Sequence, residues 1–107
     1  MNKGFESVEK EIAGEKAAAL GRSARKLRSA LDKLRRFDES SRRSREVDAR
    51  ARLVEGAGEA LWAYVVQREA VGLIDSEYIR KEYAVPADVW QHMRPRMEAA
   101  RSRSLSD

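Results

Sequence analysis

Cysteine is absent from this chain, histidine occurs once and proline twice. Without Cys there are no disulfides, no thiolate metal ligands and no thiol nucleophiles. Two Pro and six Gly in 107 residues are too few for a turn-rich β-sandwich. No run approaches the roughly 18 apolar residues that span a bilayer, so no membrane insertion is expected. The opening Met-Asn-Lys-Gly-Phe-Glu carries no apolar core segment of the kind a secretory leader needs, and a cytoplasmic protein is expected.

What is present is charge and helix-forming residues. Charged side chains make up 37% and apolar ones 42%, a balance that suits long amphipathic helices. The net +4 is unevenly spread. Residues 1–21 carry −1, residues 22–52 carry +7, residues 53–100 carry −3 and residues 101–107 carry +1. Arg outnumbers Lys in the basic stretch, and guanidinium groups grip carboxylates and phosphates through two parallel hydrogen bonds.

Apolar spacing predicts an all-α fold with helices at about 5–37, 44–71, 76–83 and 86–94. The first helix places Phe5, Val8, Ile12, Ala19, Leu20, Leu27, Ala30, Leu31, Leu34 and Phe37 within roughly ±80° of one direction. From Leu20 the spacing Leu20, Ala24, Leu27, Leu31, Leu34 alternates four and three, a heptad seam. Earlier the seam is small (Ala13, Gly14, Ala17, Ala18, Ala19, Gly21), so a partner backbone can come close. Asp38 to Ser44 is polar and predicts a tight turn into the second helix, with a continuous helix as the competing reading because neither Gly nor Pro enforces a stop. An antiparallel hairpin then pairs Leu34 with Val47, Leu31 with Ala51, Leu27 with Val54 and Leu20 with Leu61. Ala24 meets Ala57 or Gly58, and a close crossing there would offset the cost of two glycines, about 2 kcal/mol of helix propensity. Gly72 ends the second helix, Asp75 or Ser76 caps the third, and Pro86 opens the fourth. Residues 1–100 are read as one helical domain and 101–107 as a flexible tail.

Little in the chain suits catalysis. Asp88 and His92 share a helix face, but two ligands do not make a metal site and no second His is available. Glu55 with Glu59, and Glu11 with Glu15, read as solvated faces. There is no Gly-rich phosphate loop and no GxSxG elbow. No catalytic, cofactor-binding or metal-ligating residue is assigned, and no cofactor is expected. The basic stretch offers an anion contact at the hairpin tip, formed by Arg35, Arg36, Arg42, Arg43 and Arg45. Its plainer reading is pairing with Asp32, Asp38, Glu39, Glu46 and Asp48. Residues 76–94 have the outline of a helix-turn-helix. However, Arg80 stands where that motif has a small residue, Ala84 stands for its turn glycine, and the second helix offers only Arg94 as a cation. A structural corner folding back toward Trp62 and Val65 fits these residues better.

The chain resembles short all-helical bacterial proteins of unknown function, through its long Glu/Ala/Arg-rich helix, the Gln-Arg-Glu-Ala-Val-Gly-Leu segment at 67–73 and Tyr-Ala-Val-Pro-x-x-Val at 83–89. The resemblance implies a bacterial cytosolic setting and no catalytic residues. One hairpin cannot shield its own apolar stripes along some 40–50 Å. The expected assembly is therefore two hairpins joined in a four-helix-bundle-like homodimer. Its self-association face would be Leu20, Leu27, Leu31, Leu34, Val47, Val54, Leu61 and Val65. The expected role is self-association or interaction with a protein partner. Nucleic-acid binding through the basic tip or through residues 76–94 is the alternative.

Overall fold

The computed structural model describes residues 3–40, 47–73 and 75–93. Among these the fold is all helix: α1 (Lys3–Asp38), α2 (Val47–Ala70), α3 (Ser76–Tyr83) and α4 (residues 87–93). The first two form an antiparallel hairpin, and α3 and α4 fold back over one side of it. Arg42, Arg43 and Arg45 of the expected anion contact and the 101–107 tail lie outside the described residues. The chain is elongated, 66 × 33 × 21 Å. Its radius of gyration is 17.2 Å, against about 13 Å for a compact domain of this length.

Local chemistry sets the helix ends. Gly72 adopts φ 83°. Leu73 N–H then reaches back to the Arg68 carbonyl (2.8 Å) and Gly72 N–H to that of Glu69 (3.0 Å). This is the paired 6→1 and 5→2 bonding of a Schellman stop, which satisfies carbonyls that the helix end leaves unpaired. At the start of α3 the Asp75 carboxylate accepts from the backbone N–H groups of Glu77 (3.1 Å) and Tyr78 (3.3 Å). That cap is one the sequence signals directly. The first α4 bond runs from Trp90 N–H to the Pro86 carbonyl (3.1 Å), so Pro86 sits one position outside the helix it opens.

The end of α3 also closes on a left-handed residue, here one that is not glycine. Ala84 lies at φ 48°, ψ 52°, and its N–H bonds the Arg80 carbonyl. Val85 N–H closes on the same carbonyl at 3.3 Å. A left-handed alanine places Cβ against the following carbonyl, at a cost of about 1–2 kcal/mol. The glycine missing at this turn is thus missing from the sequence, not from the backbone conformation. Ala84→Gly is expected to raise stability by roughly 0.5–1 kcal/mol, because the relieved strain exceeds the extra freedom given to the unfolded chain. A urea midpoint at or below that of the parent would refute this.

The core draws on all four helices: Leu27 and Leu34 from α1, Ala57, Leu61, Tyr64 and Val65 from α2, Ile79 from α3, and Val89 and Met93 from α4. This composition corrects the expected hairpin pairing. Val47 is 71% exposed and does not cover Leu34. Leu34 instead shares a cleft with Tyr83, Ala84 and Pro86. Along the hairpin, Lys26, Ala30 and Lys33 border the same groove as Leu53, Gly56 and Ala60. Matching α1 to α2 alone overlooks the third layer that α3 and α4 supply. The glycines are corrected too. A Cβ on Gly58 would fall 2.7 Å from the His92 ring, so Gly58 admits α4, not a close α1 crossing.

Candidate interaction surface

The connected end of the hairpin is organised by one arginine. Arg50, in the first turns of α2, donates from Nε (2.7 Å) and Nη2 (3.1 Å) to the two carboxylate oxygens of Asp38. Its Nη1 donates to Asp88 at 2.8 Å. One guanidinium therefore ties the last residue of α1 to the start of α4. Hydrogen bonds to Asp38 and then to Asp88 push the Arg50 pKa above its ordinary value, against partial desolvation. Asp88 is committed to this clasp, not to His92. Arg35 pairs with Asp32 on its own helix. Arg36 is exposed. Arg35 is thus paired with an acid as the plainer reading has it, whereas Asp38 takes Arg50, outside the five arginines of the tip.

Where α3 crosses the hairpin, cations lie on aromatic faces. The Arg28 guanidinium sits 4.6 Å from the Tyr83 ring centre, and that of Arg80 4.4 Å from Trp90. Arg68, only 8% exposed, lies 4.7 Å from Tyr78 and 5.7 Å from Tyr64. Its Nε finds no hydrogen-bond partner among the described residues. The stacked rings replace the missing carboxylate as its neighbours. Tyr83 and Tyr64 meet edge to face at 5.2 Å, with the Tyr83 hydroxyl donating to that of Tyr64 at 3.3 Å. Over residues 76–93 the segment is a corner that packs its apolar residues, Ile79, Tyr83, Val85, Val89, Trp90 and Met93, on the core. Burial, then the bond to Tyr64, pushes the Tyr83 pKa up to about 12. Its unfolded value lies near 10. A raised folded pKa means the unfolded chain loses its proton first, so this contribution is intact below pH 10 and fades as pH rises toward 12. Thermal melts should therefore show a decline across that window that Tyr83→Phe flattens; parallel declines would refute it.

The expected self-association face divides in two. Leu27, Leu34, Leu61 and Val65 are covered within the chain, because α3 and α4 lie over them. Leu20, Leu31 and Val54 are half-buried against the same core, and Val47 is exposed. The four covered residues thus have little apolar surface left to offer a second copy.

The open surface lies elsewhere. A groove of about 370 Å³ runs between α1 and α2. Its floor is Ala30, Leu53, Gly56 and Ala60, and its rim carries Lys26, Lys33 and Arg52; no residue of α3 or α4 lines it. None of the three cations makes a salt bridge among the described residues. A Cβ built on Gly56 meets nothing within 4 Å. Helical glycine costs about 1 kcal/mol relative to alanine, and nothing within the protomer requires one here. The groove was missed in the sequence because its residues look like an ordinary solvated helix face. The available signal was a second 3,4 spacing on α1 (positions 5, 8, 12, 15, 19, 22, 26) beside the leucine seam.

His92 is exposed above Gly58. The described residues contain no cluster of three or more His, Asp or Glu able to hold a metal, and no helix among them is long and apolar enough to cross a membrane. No curated protein and no solved structure matches the chain. A family model does match it, over residues 1–99. By that match, which spans the hairpin, the α3–α4 corner and the groove, the chain belongs to the family of unknown function DUF6665.

Proposed function

We propose that this chain is a non-enzymatic helical protein whose role is self-association, with the first third of α1 as its association element. The observation that carries this reading is the length of α1. It has 36 residues against 24 in α2, a difference of about 18 Å of helix. Lys10, Glu11 and every residue from Ala13 to Ala18 are exposed. A helical stretch of a dozen residues is marginal in water on its own, and packing against another element is the usual source of its stability. A second copy is the simplest supplier of that packing, and two-fold symmetry is the commonest arrangement. Nucleic-acid binding draws less support, because Arg35 is engaged by Asp32 and α4 gives Asp88 to Arg50.

Light scattering on the purified chain tests the reading. A species of twice 12.2 kDa at micromolar concentration is expected. A monodisperse monomer at about 100 μM would remove it, since such weak association falls well short of specific dimers.

A further inference from the structure

Resting on the self-association reading, we infer that a second copy of this chain fills the open groove, with the two α1 helices antiparallel about an axis at Ala19. Positions 5, 8, 12, 15, 19, 22, 26, 30 and 33 recur at helical spacing along a single stripe of α1. The groove-lining Lys26, Ala30 and Lys33 belong to that stripe. So do Glu15, Ala19 and Arg22, which border a shallower concavity with Gln67 where α2 ends. The stripe is a quarter-turn or so from the leucine seam that packs on α2, by the 100° step per residue.

Folded antiparallel on itself about Ala19, this stripe is complementary. Glu15 of one copy falls opposite Arg22 of the other, and Glu11 opposite Lys26; all four are exposed. Position 8 falls beside Ala30 and position 5 beside Lys33. The incoming helix then runs parallel to α2, and positions 5, 8 and 12 keep step with Leu53, Gly56 and Ala60 at the same spacing of three and four. The sequence puts Phe, Val and Ile at those three positions. Gly56, unexplained within the protomer, becomes the point of closest backbone approach. Charge agrees with shape: residues 1–21 carry −1, and residues 22–38, the rest of α1, carry seven cations against two acids, +5, so antiparallel pairing sets the acidic end of each α1 against the basic end of the other. Two-fold symmetry makes the contact twice, with each overhang seated in the other copy's groove. A parallel pairing would instead set Arg22, Lys26 and Lys33 against themselves.

Cross-linking is clean because the chain has no cysteine. Ala19→Cys treated with a short bis-maleimide is expected to give a covalent dimer. Val47→Cys is not, because its copies would lie about 60 Å apart by helix rise. Lys26→Glu should weaken the dimer roughly tenfold, since the symmetric contact loses two ion pairs and gains two repulsions. Adding Glu11→Lys to that variant should restore it, and circular dichroism should report an unchanged fold for both. A dimer by light scattering whose Ala19→Cys form fails to cross-link, or whose charge swap gives no rescue, overturns this geometry and leaves self-association standing. A monomer overturns both.

Discussion

Leu61→Ala is expected to lower the free energy of unfolding by about 3 kcal/mol, within the range for leucine truncations in well-packed cores. Leu61 is fully buried and belongs to the one cluster where α1, α2, α3 and α4 all meet. The loss has two parts: the transfer free energy of the deleted atoms, and the cavity they leave. The second part is large here, because Leu61 is fully buried in a cluster built from all four helices, and no single element can collapse into the gap. For a domain of this size, with a total stability of roughly 5–15 kcal/mol, the melting temperature should fall by some 15 °C. The comparison that gives the number meaning is Val47→Ala. If α1 and α2 paired by their apolar stripes alone, Val47 would cover Leu34 and its loss would be felt. In the observed packing Val47 is 71% exposed, and truncation should change stability by no more than about 0.5 kcal/mol. Chemical denaturation at fixed protein concentration measures both, since self-association would add a concentration-dependent term. Equal losses at the two positions would contradict the four-helix core.

The contrast between Leu61 and Val47 also marks how much the sequence discloses. Helix ends set by short-range chemistry were legible. Asp75 before Ser76-Glu77 is a cap signal, Gly72 supplies the positive φ of a helix stop, and α3 runs from Ser76 to Tyr83 as read. The all-helical class and the corner at residues 83–86 were legible for the same reason. The layer that covers the leucine seam was not, because apolar spacing within one helix does not say which element packs on it; α3 and α4 share the core with Leu27, Leu34, Leu61 and Val65. Glycines were ambiguous for a related reason: Gly56 and Gly58 are indistinguishable in sequence, yet one faces open space and the other lies under His92. Arg50 was hidden among the twelve basic residues between positions 22 and 52, since no local pattern reveals a partner 38 positions away.

Arg50→Ala is expected to cost about 2 kcal/mol. The side chains of Arg50, Asp38 and Asp88 are 32%, 31% and 44% exposed, so each ion pair taken singly would contribute only about 0–1 kcal/mol. Three features lift the set above that figure. The contact with Asp38 is two-pronged, which fixes geometry as well as charge. The third bond spans to α4, so the loss loosens the helix that brings Val89 and Met93 to the core. Removal also leaves Asp38 and Asp88 near one another without the cation between them, and that repulsion adds to the loss. Arg50→Lys should recover only part of it, because an ammonium cannot bond both Asp38 oxygens and Asp88 in one planar arrangement. Combining Arg50→Ala with Asp88→Asn should be less costly than the two changes added separately, since the second relieves the repulsion the first creates. Arg52→Ala provides the control: Arg52 lies two residues away and lines the groove without a salt bridge among the described residues. Urea midpoints at low salt give the comparison, and the gap between the two variants should narrow at 1 M salt as screening weakens the exposed portion. Equal costs for Arg50→Ala and Arg52→Ala would mean that the clasp is surface charge only, and that packing alone holds α4 against the hairpin.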